Sequence, residues 1–304
     1  MSRVQGRDSA LSGEFSIANF RERCETCRNI STCNICSGSI SGFEHIGVRA
    51  SSNAGQRSGI WHYANPCRHL NQLRPRGANV RYGGGPLWKN GYTWQNIYWG
   101  PYFAGSSATA WVAGVEKAVK DIESDKTYSG GLSVYNVEIG KINPLINIKT
   151  APGASISDGE IKQILSGWIA SGTVPNLGGR GAYNIFLPPG VTVSLSPTEA
   201  SCSFFCDYHN TVNGSSGPFY TVEPYPCATG CNRCTNNALD TLTQGLSEEM
   251  VELKTDMNPG TGWVIGNLEV CDYCDAKFVC NRITGGEYVN SWYDKSKKAC
   301  WRGI

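Results

Sequence analysis

One stretch, SEEMVELKTD at residues 247–256, carries the densest cluster of ionisable side chains in the sequence. It closes a helix predicted from about Asn236 to Lys254, whose apolar residues recur at helical spacing: Leu239, Leu242, Leu246, Met250 and Leu253. Three of its acids are spaced four residues apart and share one helix face: Glu248, Glu252 and Asp256. Like charges at this spacing repel by about 0.2–0.5 kcal/mol per pair. We therefore expect this face to be solvated or to hold a cation.

The rest of the chain predicts further helices and strands in irregular alternation. Two more helices are expected, at 107–122 and 157–172, and the second opens with a capping box from Ser157 to Glu160. Short apolar or aromatic runs predict strands at 94–99, 132–139, 183–187 and 219–222. This order predicts an α+β fold with a mixed sheet and packed helices.

Composition excludes two broad classes of partner. The net charge of +2 over 304 residues gives no general case for binding nucleic acid or an anionic membrane surface. No window approaches the roughly 18–20 consecutive apolar residues of a membrane span. We expect neither a nucleic-acid partner nor a membrane-spanning helix.

Cysteine usage indicates the compartment. The fourteen cysteines are Cys24, Cys27, Cys33, Cys36, Cys67, Cys202, Cys206, Cys227, Cys231, Cys234, Cys271, Cys274, Cys280 and Cys300. Their C-x-x-C pairs lack the spacing of zinc modules, so we predict disulfides, which form in oxidising compartments. An extracellular or cell-surface location follows, although the given sequence shows no signal peptide. Two triplets predict glycosylation, at Asn29 and Asn213.

The composition of residues 1–81 predicts an irregular, cysteine-rich N-terminal extension. A domain over 82–304 is expected to follow it. The breaker cluster at 82–86, YGGGP, marks the boundary. Residues 1–85 contain eleven arginines and no lysine, which suits planar contacts to carboxylates or glycans, or simply a solvated arm. Such an arm is a candidate for self-assembly into a homo-oligomer.

Five motifs in order resemble the Exordium-like, phosphate-induced protein family and its bacterial secreted relatives. The helix at 247–256 resembles the family's S-H-E-x-x-E-x-x-T-[DN] helix, and residues 82–103 resemble its Gly-Gly-Pro opening and first strand. Residues 205–209, FCDYH, resemble its F-C-x-[YF]-H element. Two later parts also match: Gly262-Trp263 with Cys271, and Ser291-Trp292 to Cys300. The resemblance covers residues 82–301.

The resemblance implies a zincin-like scaffold with a degenerate metal site. By position, Glu249 is the general base and Glu252 a ligand, while Glu248 stands where the family has its first zinc-binding histidine. The acid of the family's E-I-G-D-x-C segment falls on Val264 or Gly266, so two ligands are missing. Zinc is therefore not expected, and no cofactor is required. A set of carboxylate oxygens would instead select Ca²⁺ or Mg²⁺ as a structural cation.

Three states of the acidic helix stay open: an empty solvated face, a structural cation site and an active metal centre. Glu248, Glu252, Asp256 and His209 are the candidate ligands, although His209 beside aromatic residues also suits a purely structural role. The first functional hypothesis is a non-catalytic secreted or cell-surface protein with structural or binding duties, contacting glycans or other copies. The alternative is a divalent-metal-dependent peptidase that uses Glu249 as its base.

Overall fold

The computed structural model describes residues 79–227, 231, 234–275 and 280–303. Its four α-helices are α1 (Thr109–Ser124), α2 (Asp158–Ala170), α3 (Ala238–Thr255) and the short α4 (Asp272–Asp275). Its first strands are β1 (Val80–Tyr82), β2 (Thr93–Trp99), β3 (Lys141–Ile142), β4 (Ile146–Ile148), β5 (Ser155–Ser157), β6 (Gly181–Phe186), β7 (Thr192–Ser196) and β8 (Glu199–Ala200). The remaining strands are β9 (Tyr208–Thr211), β10 (Phe219–Glu223), β11 (Trp263–Ile265), β12 (Asn281–Arg282), β13 (Tyr288–Val289), β14 (Tyr293–Asp294) and β15 (Ala299–Cys300).

A six-stranded mixed sheet forms the centre of the fold. Its strand order is β3-β2-β6-β10-β9, with β4 also paired to β2. Strands β2, β6 and β10 run parallel, and β9 closes one edge antiparallel to β10. Smaller sheets join β5, β7 and β8, and pair β1 with β11, β12 with β13 and β14 with β15. The predicted α+β class with a mixed sheet is confirmed.

Helices cover both faces of the central sheet because its strands are apolar on both sides. Along β2, Trp94 and Tyr98 pack toward α1 and α3, whereas Ile97 and Trp99 pack toward α2. This alternation is the period-two pattern of a strand buried between two layers. Strands β9 and β10 thereby present alternate residues to α3, which positions the side chains of the functional site.

Most of the predicted elements are present. The three predicted long helices and the strands at 94–99, 183–187 and 219–222 are confirmed within a few residues. The prediction of a strand over 132–139 is wrong, because Gly130–Tyr135 is a 3₁₀ helix. Strand β1 begins at Val80, two residues before the predicted domain boundary, and pairs with β11.

Four disulfides stabilise the second half of the chain. They join Cys202 to Cys227, Cys206 to Cys231, Cys234 to Cys280 and Cys274 to Cys300. These eight cysteines confirm the disulfide prediction for this region. Cys271 corrects it, because its thiol is buried and unbridged. Cys24, Cys27, Cys33, Cys36 and Cys67 lie outside the described residues, as do Asn29 and the predicted N-terminal extension up to residue 78.

In the part of the chain that the structure describes, no helix combines the length and the apolar character that crossing a membrane requires. Asn213, the second predicted glycosylation acceptor, is exposed just before a short 3₁₀ helix at Gly214–Ser216.

Candidate metal centre

Helix α3 is buried on every side, not only along its apolar stripe. Each residue from Thr241 to Thr255 is buried, and the helix packs against β9 and β10, α1 and β13. Glu248 is 2% exposed and Glu249 and Glu252 are 1% exposed. The sequence-based alternative of an empty solvated face is therefore wrong. Burying carboxylates is costly unless each finds a proton, a hydrogen-bond donor or a cation.

Both ends of α3 are fixed by side chains. Asn237 caps the first turn, because its Oδ1 accepts hydrogen bonds from the backbone N–H groups of Leu239 and Asp240. At the other end the helix stops before Asp256. The carboxylate of Asp256 accepts hydrogen bonds from the backbone N–H groups of the following turn: Gly260, Thr261 and Gly262. The acid predicted as a ligand at this position thus holds a turn.

His209 lies on β9 and contacts three groups of the site. Its Nδ1 is 2.9 Å from Glu249 Oε2, and its Nε2 is 3.1 Å from the Asp256 carbonyl oxygen and 3.4 Å from Glu269 Oε1. Neighbouring Tyr208 points the other way and donates its hydroxyl to Asp158 at the start of α2, as the alternation of a strand requires. These contacts bring His209 to the acidic helix, as the candidate-ligand role requires, and a structural hydrogen-bonding role is compatible with the same contacts.

The imidazole of His209 is in an acceptor-rich environment. Its complete burial lowers its pKa to about 4, although the backbone contact to Asp256 acts in the opposite direction. A neutral imidazole carries only one N–H, yet both of its nearest partners, Glu249 Oε2 and the Asp256 carbonyl, are acceptors. One ring nitrogen therefore directs a lone pair at an acceptor unless Glu249 is protonated or a cation lies between them.

Two sets of ligand-type atoms converge on α3. We name them the His209 group, formed by His209, Glu249 and Glu252, and the Glu248 group, formed by Glu248, Glu252 and Asp272. Within each group the ligand atoms lie within 4.8 Å of one another. Glu252 belongs to both groups. The structure thus brings together three of the predicted ligands, Glu248, Glu252 and His209, with the predicted base, Glu249.

Electrostatic repulsion and burial raise the pKa of several acids here. Burial is the main cause for Glu249, followed by the charges of Asp207, Glu252 and Glu248. Burial likewise raises the pKa of Glu252 and of Glu269, and the charges of neighbouring carboxylates add to it. Without a cation, these side chains would hold protons well above the pH at which free carboxyl groups lose them.

Few positive groups are available to neutralise the His209 group. Among the residues that the structure describes, Glu249 and Glu269 form ion pairs with His209 alone. Lys254 lies on the same helix but pairs with Glu123 at 2.6 Å. Glu249 Oε1 is buried and has no hydrogen-bond partner in the described structure. A buried carboxylate oxygen without a hydrogen-bond partner is stronger evidence for a bound cation than a cluster of acids is.

Two acids that no quoted motif pointed to complete the cluster, Glu269 and Asp272. Glu269 lies beside His209, and the backbone N–H of Asp272 donates to Glu252 Oε1 at 3.2 Å. Both acids lie further along the chain than Val264 and Gly266. Both belong to residues 269–274, EVCDYC, whose E-x-x-D-x-C spacing is the signal in the sequence that points to them.

Cys271 lies beside the cluster as a buried thiol. Burial raises its pKa, and so do the charges of Glu252 and Glu248. A thiol in such a site is protonated and chemically inert unless the structure opens. Its sulfur belongs to neither of the two ligand groups, so we assign Cys271 to the core next to the site.

An open groove borders the cluster on the side of Glu248. Asp207, Gln244, Glu248 and Asn290 supply its polar lining, and the Cys206–Cys231 disulfide forms part of its wall. Glu248 is thus the acid of α3 that lines the groove, whereas no member of the His209 group does.

Comparisons of this chain with protein-family models, with curated proteins and with solved structures found no match.

Proposed function

We propose that this chain is a non-catalytic secreted or cell-surface interaction protein, whose fold is stabilised by a divalent metal ion bound in the His209 group. The observation that carries the proposal is the convergence of one imidazole and two carboxylates on a buried point where Glu249 Oε1 has no partner. The resemblance to the Exordium-like family supports the same helix as the metal site. The same resemblance implies that the scaffold is zincin-like.

The donor set favours a transition metal. His209 offers a nitrogen ligand and Glu249 and Glu252 offer oxygen ligands, a combination that suits Zn²⁺, Mn²⁺ or Fe²⁺ better than Ca²⁺. The expectation of no zinc rested on two missing ligands, the histidine replaced by Glu248 and the acid absent from Val264 and Gly266. A histidine from a different element, β9, can replace the first of them. The Glu248 group has only oxygen ligands and suits Mg²⁺ or Ca²⁺.

Burial favours a structural ion over a catalytic one. His209 is 0% exposed, and Glu249 and Glu252 are each 1% exposed. A catalytic zinc ion needs a coordination position open to water and substrate, whereas structural ions are enclosed by protein. The ion would neutralise the carboxylates that bind α3 to the central sheet, in place of the protons that they would otherwise hold.

Metal analysis and unfolding of the purified full chain test this proposal. We expect close to one transition-metal ion per chain by elemental analysis, and a lower melting temperature after chelation that Zn²⁺ or Mn²⁺ restores. An ion present at about 1,000 times its dissociation constant adds about 4 kcal/mol to the free energy of unfolding.

The variant Glu249→Gln sharpens the test. It should bind no metal, yet its metal-free form should be more stable than the metal-free wild type, because a neutral amide avoids the cost of burying a carboxyl group that must either keep a proton or carry an unpaired charge. The control is Glu116→Gln, a carboxylate on α1 that accepts hydrogen bonds from Asn96 and Tyr98 and lies outside the cluster. It should bind metal normally. If the wild type binds no metal, or if Glu249→Gln retains it, the structural-ion proposal is wrong.

A second candidate function is a metal-dependent peptidase, which the groove beside Glu248 favours. There, Glu248, Glu252 and His209 would bind the ion, and Glu249 would be the general base. Assays of denatured casein with each added metal separate the two proposals. Glu249→Gln that keeps its metal but loses hydrolysis would establish the peptidase, whereas loss of the metal without any hydrolysis in the wild type supports the structural ion.

A further inference from the structure

The imidazole of His209 lies between a backbone carbonyl and a carboxyl group. Its Nε2 is 3.1 Å from the carbonyl oxygen of Asp256, with Glu269 Oε1 on the same side at 3.4 Å, and its Nδ1 is 2.9 Å from Glu249 Oε2. A backbone carbonyl can only accept a hydrogen bond, whereas a carboxyl group can also carry a proton or bind a cation. The single N–H of the neutral ring is therefore assigned to Nε2, where it donates to Asp256. The lone pair of Nδ1 then points at Glu249.

The carbonyl of Asp256 reaches His209 because α3 ends at this residue. The backbone N–H of Asp256 still donates to the Glu252 carbonyl at 2.6 Å, as in the last turn of a helix. Its own backbone, however, has ψ 62° instead of the helical value of about −42°. This rotation turns the carbonyl away from the helix axis. A helical ψ would direct the same oxygen along the axis, toward the next turn.

The side chain of Asp256 holds this non-helical conformation. Its two carboxylate oxygens accept hydrogen bonds from three successive backbone N–H groups, those of residues 260–262. The turn packs directly against the end of the helix, since a Cβ on Gly262 would lie 2.2 Å from the Thr255 carbonyl oxygen and 2.5 Å from the Asp256 Cα. The carboxylate thus fixes the direction of the carbonyl that contacts His209.

We propose that His209 binds the metal through Nδ1 and that Asp256 is the positioning residue of the site, acting through its carbonyl on Nε2. Metal-binding histidines generally donate their other ring N–H to a carboxylate or a backbone carbonyl, which fixes the tautomer and the orientation of the ring. Two ligand atoms about 2.1 Å from a tetrahedral ion are about 3.4 Å apart, so Glu249 Oε2 needs to withdraw from Nδ1 by only about 0.5 Å. The inference rests on the proposed metal in the His209 group, and it removes the Asp256 carboxylate from the candidate ligands.

The tautomer of His209 can be read from its ring nitrogens by NMR of the full chain. The chain has four histidines, so ¹⁵N labelling of histidine alone gives four imidazoles, and His209→Gln identifies the signals of this one. Without metal, long-range ¹H–¹⁵N correlations should show a protonated Nε2 and an unprotonated Nδ1, and one equivalent of Zn²⁺ should shift Nδ1. An Nδ1–H tautomer, or a Zn²⁺-induced loss of the proton from Nε2, would overturn this inference but leave the metal site standing. No change at either nitrogen would overturn the metal site itself.

The variant Asp256→Asn tests the positioning role. It should weaken Zn²⁺ binding about 10- to 100-fold and mix the two tautomers of His209, because the amide nitrogen cannot accept a hydrogen bond from the turn. The matched control is Asp125→Asn. Asp125 also follows the last residue of a helix, and its carboxylate also accepts from three backbone N–H groups, those of Thr127, Tyr128 and Thr284. The control should lose stability but keep both Zn²⁺ affinity and the tautomer. Equal effects of the two variants on affinity would contradict the positioning role.

A milder pair of variants keeps the test decisive if Asp256→Asn does not fold. Gly260 and Gly190 both have φ 83°, and a Cβ on either would meet no atom within 4 Å. Alanine strains the backbone similarly at both positions, but only Gly260 lies in the turn that Asp256 holds. Gly260→Ala should weaken Zn²⁺ binding severalfold, whereas Gly190→Ala, in the turn before β7, should not. Unchanged Zn²⁺ affinity in Gly260→Ala would show that the turn does not position the ring.

Discussion

Gly245 allows Asp207 to approach α3 closely. The carboxylate of Asp207 lies directly over the Gly245 backbone, so that a Cβ at this position would overlap with Oδ2. A glycine in the middle of a helix is normally unfavourable, by about 1 kcal/mol relative to alanine. Here the missing side chain lets a carboxylate of the groove lie against a buried helix.

We expect Gly245→Ala to lower the free energy of unfolding by about 1–3 kcal/mol, because either Asp207 or the helix must move. The control is Gly167→Ala, in the exposed part of α2, where an added Cβ would meet no atom within 4 Å. That change should raise stability by about 0.5–1 kcal/mol. Urea unfolding measures both, and a stabilising Gly245→Ala would show that Asp207 does not need this contact.

Single residues also show how far the site could be predicted. His209, Glu248, Glu249 and Glu252 were identifiable because the three acids share a helix and His209 belongs to a quoted motif. The position of Glu269 depends on a contact with His209 across 60 residues of sequence. No local propensity encodes such a contact. The structural role of Asp256 depends on where the helix stops, which is the least predictable feature of a helix.

At the scale of elements, Asp125 connects α1 to the hairpin formed by β12 and β13. It follows the last residue of α1, and its Oδ1 accepts hydrogen bonds from Thr127 and from the Tyr128 backbone N–H. Its Oδ2 accepts one from the backbone N–H of Thr284, between β12 and β13. Burial alone would raise the pKa of Asp125, but these hydrogen bonds outweigh it and lower the pKa.

The hydrogen bonds of Asp125 should make the free energy of unfolding depend on pH. A carboxyl group whose pKa is lower in the folded state stabilises the protein above its unfolded pKa of about 3.9, and this contribution is lost as the pH falls through the folded value. Asp125→Asn should be less stable than the wild type by about 1–2 kcal/mol at pH 7, and the difference should shrink below about pH 4. Thermal unfolding from pH 7 to pH 3 measures it.

The control for this test is Glu138→Gln, an exposed side chain outside the connection. Its stability difference from the wild type should stay within about 0.5 kcal/mol at every pH. A difference for Asp125→Asn that grows on acidification would contradict the assignment, because it would mean that the folded state raises the pKa of Asp125.

The elements that were predicted correctly are those decided by local chemistry. The capping box at α2 is an example, since Ser157 Oγ accepts the backbone N–H of Glu160 and Glu160 Oε2 accepts that of Ser157. The stretch 132–139 was assigned to a strand, but Leu132 and Tyr135 are both buried at the three-residue spacing of a 3₁₀ helix. Asn136 then turns left-handed at φ 62° and ends the helix.

At the scale of the molecule, the burial of α3 was the feature that sequence patterns could not provide. Acids four residues apart on a helix are normally solvated, and only the full topology shows that β9, β10, α1 and β13 enclose this one. Disulfides strengthen that enclosure on two sides. Cys206–Cys231 ties the segment before β9 to the chain beyond β10, and Cys274–Cys300 ties α4 to β15.

These two disulfides close loops of almost equal length, with sequence separations of 25 and 26 residues. Loop entropy therefore predicts a similar cost of about 3 kcal/mol when either pair is replaced by alanines. Of these two, only Cys206–Cys231 lines the groove, so only its removal should also loosen the groove wall. Urea unfolding and amide hydrogen exchange of residues 241–248 in the two double variants separate the global effect from the local one. If both variants lose exchange protection there in proportion to stability, the groove wall depends on overall folding and not on this disulfide.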